Sequence, residues 1–508
     1  MLKYIASLGL SGIEPYLVGV EVDARRGMPG FDIVGLPDAT VKESRDRVRA
    51  AVGNLGYAEI RQKVVANLAP ADTRKTGSVY DLPILLALIS AVGYEDMSFD
   101  GTAVIGEIGL SGELRALTGV LPMVLDAKRL GISRVIVPTP NAAEAAAARD
   151  IEILCAEHAG EVIAYFRGRS GLTHVSSVSP SKTLNIGIPD LSDVRGQAEA
   201  RRGLEVAAAG GHNLLLIGPP GAGKSMLAKR LPSILPDMTR AESIETTKIY
   251  SVAGLLPAGT GLIRARPFRS PHHTASPAAL TGGGASPMPG DLSLSHNGVL
   301  FLDELPEFSK QSLEVLRQPL EDGQVSISRV KQRVTYPADV MLVASMNPCP
   351  CGFYGTVGKK CSCSQNTVMN YLGRISGPML DRIDIQVEVQ PVEYTQLSSK
   401  EGSESSHSIR ERVERAREIQ TKRYEGTDIT CNSRITPALL REVCEMELSA
   451  EKLLQSAFER LGLSARGYDR LLKVARTIAD LDDSQKITST HISQAIRFRS
   501  LDRKYWSG

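Results

Sequence analysis

The stretch Gly218-Pro219-Pro220-Gly221-Ala222-Gly223-Lys224-Ser225 constrains this chain more than any other. It follows the apolar run 213–217 and precedes a helical pattern that begins at Met226. A strand, a glycine loop and a helix in that order turn successive backbone N–H groups inward around phosphate oxygens at a helix N-terminus. Lys224 then reaches the β- and γ-phosphates, and Ser225 offers its hydroxyl to Mg²⁺. A glycine-rich turn arising by chance would not carry both flanking elements. Residues Gly218 to Met226 are therefore expected to bind a nucleoside triphosphate with Mg²⁺.

A chain of 508 residues is too long for one ordinary core and predicts two to four domains. Its 42% hydrophobic and 23% charged content is that of a globular protein. The formal net charge is +2, from 59 Lys and Arg against 57 Asp and Glu, so a nucleic-acid surface would have to be a local patch. No apolar run reaches bilayer length, and the first ten residues lack a sustained apolar core and a small-residue cleavage site. A cytoplasmic protein with no membrane partner is the expectation. Four of the seven cysteines fall within 349–363, unlike the spacing of a disulfide-stapled secreted domain.

Two further apolar runs end in polar residues that suit phosphate chemistry. The run 299–302 leads into Asp303 and Glu304, the Walker B pattern. Asp303 is expected in the Mg²⁺ shell, and Glu304 to orient and polarise an attacking water. The run 339–345 leads into Met346, Asn347 and Pro348. Asn347 at the edge of a strand is either a turn former or a polar group facing the γ-phosphate; the order of the three strands favours the second.

Residues 321–336 alternate in strand fashion around Arg329, Lys331 and Arg333. A solvated hairpin is the plain reading. A basic tip tracking a phosphate backbone is the functional one, and it makes these three residues the expected DNA contacts. Cys349-Pro350-Cys351 and Cys361-Ser362-Cys363 are paired C-x-C elements on a glycine-rich loop. Four thiolates there suit a closed tetrahedral Zn²⁺ site, with a reduced, redox-sensitive loop as the alternative. Asp291-Leu292-Ser293-Leu294-Ser295 fits D-x-S-x-S, but so short a pattern with no adhesion-type domain around it carries no metal-site expectation.

The region 1–167 reads as a separate α+β domain. Segments 17–22 and 31–34 flank a turn-rich 25–30 and predict a hairpin. Asp38 caps a helix bearing Val41, Val48 and Val52 on one face. A strand at 63–68, an apolar helix at 81–92, a second hairpin over 103–114, a helix near 123–130 and strands at 134–137 and 151–154 follow. The Ser- and Gly-rich 168–188 reads as a linker. A parallel-sheet nucleotide domain over 189–396 and a helical lid over 397–508 complete the organisation.

Gly77 to Leu88 and Gly106 to Pro138 resemble the proteolytic domain of the Lon protease family. Its catalytic serine position falls near Val79 and its lysine position between Leu121 and Met123, so neither residue is in register. A scaffold without the chemistry is the preferred reading, a dyad of Ser78 with Lys75 or Lys128 the other. Asn347 resembles the sensor-1 position of AAA+ ATPases. The segment 380–384 around Arg382 resembles the arginine-finger segment of magnesium chelatase motors and minichromosome-maintenance helicases. Arg466 resembles the sensor-2 arginine of the same clade, Arg374 is a further phosphate-side arginine, and the long 250–298 resembles that clade's helix-2 insert.

The order of these segments, with 347–352 and 374–385, is similar to the bacterial ComM/YifB family. The resemblance implies an α/β architecture: a catalytically inactive Lon-protease-like α+β N-terminal domain, an AAA+ P-loop core and a helical lid. It implies a hexameric ring in which Arg382 acts across subunits, hydrolysing ATP as a DNA translocase and helicase that promotes branch migration in homologous recombination and natural transformation (competence), with single-stranded and branched DNA as partners. Glu304, Asn347, Arg374, Arg382 and Arg466 would be its catalytic residues. A chelatase-type motor remodelling a protein partner is the alternative.

Overall fold

The structure is a computed structural model, and it describes residues 2–177, 189–284, 287–329, 332–356, 359–391 and 403–506. The chain forms two compact units. The first comprises 1–185, 239–264 and 330–336, and the second 186–238, 265–329 and 337–508.

The first unit is built on an eight-stranded sheet. Its strands run in the order Thr173–His174, Glu152–Ala156, Arg134–Pro138, Thr102–Val104, Leu2–Ser11, Glu14–Arg25, Lys63–Ala69, Gly30–Val34. Leu2–Ser11 and Glu14–Arg25 make the long antiparallel hairpin, turning at Gly12 with φ +65°. The expected hairpin between 17–22 and 31–34 does not form. Both edges of Glu14–Arg25 are taken, by Leu2–Ser11 and by Lys63–Ala69, and Gly30–Val34 instead pairs parallel with Lys63–Ala69. A parallel pair needs a crossover, and helix Ala39–Asn54 supplies it. Asp38 caps that helix as expected, Oδ1 accepting from Val41 N at 2.8 Å. In the second expected hairpin only Glu107–Ile108 and Leu114–Arg115 pair antiparallel, while Thr102–Val104 joins the main sheet.

Helix Asp81–Val92 is apolar on all sides and accordingly buried from Asp81 to Ala91. Its one charge is met by Arg47, whose Nε donates to Asp81 Oδ2 at 2.7 Å, and by Ser44. Residues 239–264, inside the span expected for the nucleotide domain, belong to this first unit. Their helix Arg240–Val252 opens with a capping box of Thr239 and Glu242. Ser251 Oγ donates to the buried Glu144 at 2.6 Å.

The second unit holds a five-stranded parallel sheet in the order Phe268–Arg269, Gly298–Leu302, Val340–Met346, Leu214–Ile217, Ile385–Glu388. The first strand along the chain thus lies between the fourth and the fifth. Gly298–Leu302, Val340–Met346 and Leu214–Ile217 are buried at every position, which is why they read as continuous apolar runs. Ligands of such sheets sit beyond the carboxyl ends of the strands. The helices Ser406–Arg423, Pro437–Val443, Leu448–Leu461, Ala465–Leu481, Ser489–Arg497 and Ser500–Trp506 follow, within the stretch expected to be helical. Ile409, Val413, Leu471, Ile478 and Ile492 share one core with Leu214 and Leu216, so this helical part and the sheet are one body. No helix among the described residues is long and apolar enough to cross a membrane.

Candidate nucleotide site

Strand Leu214–Ile217 delivers the chain into the glycine loop, and helix Lys224–Arg230 leaves it. Gly218 passes so close to the fifth strand that a β-carbon would lie 2.2 Å from Val389 O. Gly221 and Gly223 hold φ of +76° and +91°, conformations that glycine adopts without strain. Lys224 is buried, and its Nζ donates to Gly218 O at 2.7 Å, Pro219 O at 2.9 Å and Asn347 Oδ1 at 3.0 Å. Burial lowers its pKa to about 8, against the opposing pull of Asp303 and Glu304.

Ser225 Oγ donates to Asp303 Oδ2 at 2.7 Å. The other carboxylate oxygen accepts from Ser345, a partner that sequence reasoning missed although it lies two residues before Asn347. Glu304 N–H also points at Asp303 Oδ1, at 3.2 Å. Glu304 itself stands at φ +55°, left-handed and uncommon for a residue with a side chain. Its half-exposed carboxylate lies 3.5 Å from His273 Nδ1. His273 belongs to the Pro271-His272-His273 stretch, inside the long 250–298, where no local pattern assigns it a role. The first, third and fourth strands along the chain therefore bring Lys224, Ser225, Asp303, Glu304 and Asn347 together.

Beside this polar end lies a cleft of about 760 Å³. Pro219, Pro220, Gly221, Ala222, Gly223 and Met226 line it together with Val194, Gln197, Leu227, Phe353, Lys359 and Pro391. Gln197, at φ +58°, ties the unit's opening segment to the loop, its Nε2 donating to Ala222 O at 3.3 Å and Gln390 O at 2.5 Å. Apolar walls beside a phosphate loop suit a nucleoside.

Profiles described as "Magnesium chelatase, subunit ChlI", "Subunit ChlI of Mg-chelatase" and "Magnesium chelatase, subunit ChlI C-terminal" match residues 190–397, 20–141 and 403–499. Protein YifB of Escherichia coli, described as uncharacterized, is 43% identical over 496 residues, 97% of this chain and 96% of that protein. Competence protein ComM of Haemophilus influenzae is 40% identical over 507 residues, 99% of this chain and 98% of that protein. This chain belongs to the ComM/YifB family of magnesium-chelatase-like AAA+ proteins. An archaeal Lon protease of Methanothermobacter thermautotrophicus is 33% identical over 101 residues, 18% of this chain and 15% of that protein.

In this ComM/YifB-family chain the hydrogen bonds of Arg374 and Arg382 go to groups other than Lys224, Ser225, Asp303, Glu304 and Asn347. Arg382 is buried and fully engaged within its own chain: Nε donates to Arg317 O at 2.8 Å, Nη1 to Pro378 O at 2.7 Å and Nη2 to Glu321 Oε2 at 2.5 Å. Arg374 is half-exposed and donates to Glu307 Oε2 at 3.0 Å, three residues beyond Glu304. Arg466 is exposed in the first turn of Ala465–Leu481. One turn further on, Arg470 lies 3.5 Å from Asp384.

The four loop cysteines are brought together. All four sulfurs lie within 4.8 Å of one another, with Cys349 and Cys351 at 3.3 Å and Cys351 and Cys361 at 3.5 Å. Tyr354 N–H points at Cys349 Sγ and Cys363 N–H at Cys361 Sγ, at 3.3 and 3.4 Å. Backbone N–H groups aimed at sulfur stabilise thiolates, and the four together fit tetrahedral Zn²⁺. Gln324–Arg329 and Gln332–Pro337 are both strands, and Arg333 is exposed. Lys331 and the side chain of Arg329 lie outside the described residues. In the first unit Ser78 donates to Glu107, whereas the buried Lys75 donates to the carbonyls of Pro70 and Thr73, and Lys128 is exposed. None of the three hydrogen bonds joins a serine to a lysine.

Proposed function

We propose that this protein is an ATP-driven DNA translocase and helicase that promotes branch migration in homologous recombination and natural transformation, working as a closed ring of identical subunits, a hexamer. The observation that carries the ATPase part is the convergence of Lys224, Ser225, Asp303, Glu304 and Asn347 at the carboxyl edge of one parallel sheet. Backbone N–H groups of the loop from Gly221 to Ser225 and the Lys224 ammonium hold the phosphates. Bound Mg²⁺ would neutralise phosphate charge, and the Ser225 hydroxyl and Asp303 carboxylate are the groups placed to hold it. Glu304 accepts the proton of the attacking water, Asn347 orients that water, and His273 steadies the Glu304 carboxylate.

Arg382 stabilises charge on the transferred phosphoryl group across a subunit boundary, while Arg466, at the sensor-2 position, and Arg374 are further arginines on the phosphate side. For that role Arg382 exchanges Glu321 for the neighbour's phosphate. The DNA part is supported by the basic positions Arg329, Lys331 and Arg333 and by the full-length likeness to a protein named for competence. Cys349, Cys351, Cys361 and Cys363 hold one structural Zn²⁺. The first unit serves as a scaffold without peptidase chemistry.

A DNA-stimulated ATPase assay and a three-strand branch-migration assay, wild type beside Lys224→Ala, test the reading. Stimulation and strand exchange lost in the variant are expected; ATPase activity indifferent to every DNA would overturn the translocase. A chelatase-type motor acting on a protein partner is the reading that the ChlI-named profiles favour, and it predicts that indifference.

A further inference from the structure

Gly352 joins two features that the sequence separates. A β-carbon there would lie 2.4 Å from Cδ and 2.6 Å from Cγ of Pro220, the second proline of the phosphate loop. Gly352 is buried at φ +85°, so the backbone of the cysteine loop rests directly on the nucleotide loop. On its N-terminal side stand Cys349 and Cys351. On its C-terminal side Phe353, Thr356 and Lys359 line the same cleft as Pro219 to Gly223. Lys359 Nζ sits 4.8 Å from the centroid of the Phe353 ring, and Cys361 and Cys363 follow at once.

The described residues of 349–363 contain no helix or strand and few buried side chains. So short a segment, without a ladder or a core of its own, loses conformational freedom chiefly through cross-links and through contacts with its neighbours. The four sulfurs are the groups placed to do so. The loop's outer side is braced by the C-terminal helix: the ring of Tyr354 lies 6.5 Å from that of Tyr505, and Tyr505 Oη donates to Glu388 Oε1 at 3.2 Å. Glu388 ends the strand beside Leu214–Ile217, so this brace is anchored to the sheet that carries the phosphate loop.

We infer that the four-cysteine site is a metal-organised wall of the nucleotide cleft: Zn²⁺ on Cys349, Cys351, Cys361 and Cys363 holds Phe353 and Lys359 against a bound purine nucleotide, so nucleotide affinity depends on the metal. The inference rests on the zinc and ATP readings above. Phe353 supplies a face for stacking, and Lys359 a charge for the ribose-phosphate side.

The test uses the full chain, with zinc content by elemental analysis and ADP affinity by calorimetry, before and after chelation and after Zn²⁺ is returned. About one zinc per chain is expected. Chelation should weaken ADP binding about tenfold, with recovery on Zn²⁺ but not on Mg²⁺. Phe353→Ala should keep its zinc and lose affinity to a similar degree, a result that stands even where the stripped protein is unstable. Zinc present but ADP affinity unchanged, by chelation and in Phe353→Ala alike, overturns the wall and leaves the zinc site standing. No zinc in freshly reduced protein overturns both, and no ADP binding by the zinc-loaded wild type overturns the ATP reading itself.

Discussion

The ammonium of Lys224 donates to the amide oxygen of Asn347 across 3.0 Å, joining the start of the phosphate-loop helix to the end of the fourth strand. The two residues are 123 positions apart, and only the parallel pairing of Leu214–Ile217 with Val340–Met346 brings them together. The other acceptors of Lys224 are the carbonyls of Gly218 and Pro219, so the charge is held close to where phosphate oxygens would take it over.

Nucleotide binding should therefore depend on pH on the alkaline side. Burial sets the Lys224 pKa at about 8 in the nucleotide-free chain, and bound phosphates favour the charged form. ADP affinity should stay level below that value. Above it, affinity should fall by up to about tenfold per pH unit, because binding then takes up a proton. Calorimetry from pH 6.5 to 9.5 reads this directly, and a level profile through pH 9.5 would contradict it.

Glu304→Gln should bind ATP as the wild type does and hydrolyse it about 10²- to 10⁴-fold more slowly. The side chains are isosteric, and the left-handed backbone at Glu304 is kept by its surroundings, including the N–H donated to Asp303. Single-turnover hydrolysis beside equilibrium binding separates the two effects. Equal loss of both would assign Glu304 to binding.

Gly352→Ala should cost about 1–3 kcal/mol of stability, since the new methyl meets the Pro220 ring at 2.4 Å and φ is +85°. Thermal melts with and without ADP are the measurement. The ADP-dependent rise in melting temperature should shrink in the variant, because the displaced group is the nucleotide loop.

Arg382→Ala removes three hydrogen bonds within its own chain and should lower stability by about 1–2 kcal/mol, the exposure of Glu321 limiting the loss. A role across subunits predicts something further. Rings mixed from Arg382→Ala and Lys224→Ala subunits contain interfaces with an intact Lys224 and a neighbouring intact Arg382, and these should regain ATPase activity that neither variant has alone. No recovery would confine Arg382 to its structural bonds.

Ser78→Ala should leave folding and ATPase activity unchanged, since Ser78 and Lys75 direct their hydrogen bonds to different groups. Proteolysis that disappears in this variant would restore the dyad.

Much of this protein was legible because it is encoded locally. The strand, glycine loop and helix around Lys224, the Asp38 cap, the buried helix Asp81–Val92 and the paired C-x-C elements each depend on dihedral preferences, capping or periodicity within a few residues. Tertiary structure alone decided which of these pieces meet. It paired Gly30–Val34 with Lys63–Ala69 rather than with its sequence neighbour, assigned 239–264 to the first unit, and put Ser345 on Asp303 and His273 on Glu304. It also closed four separate thiols into one cluster and laid Gly352 on Pro220. Such choices follow from burying apolar area and satisfying polar groups over the whole chain, a sum to which no short stretch holds the answer.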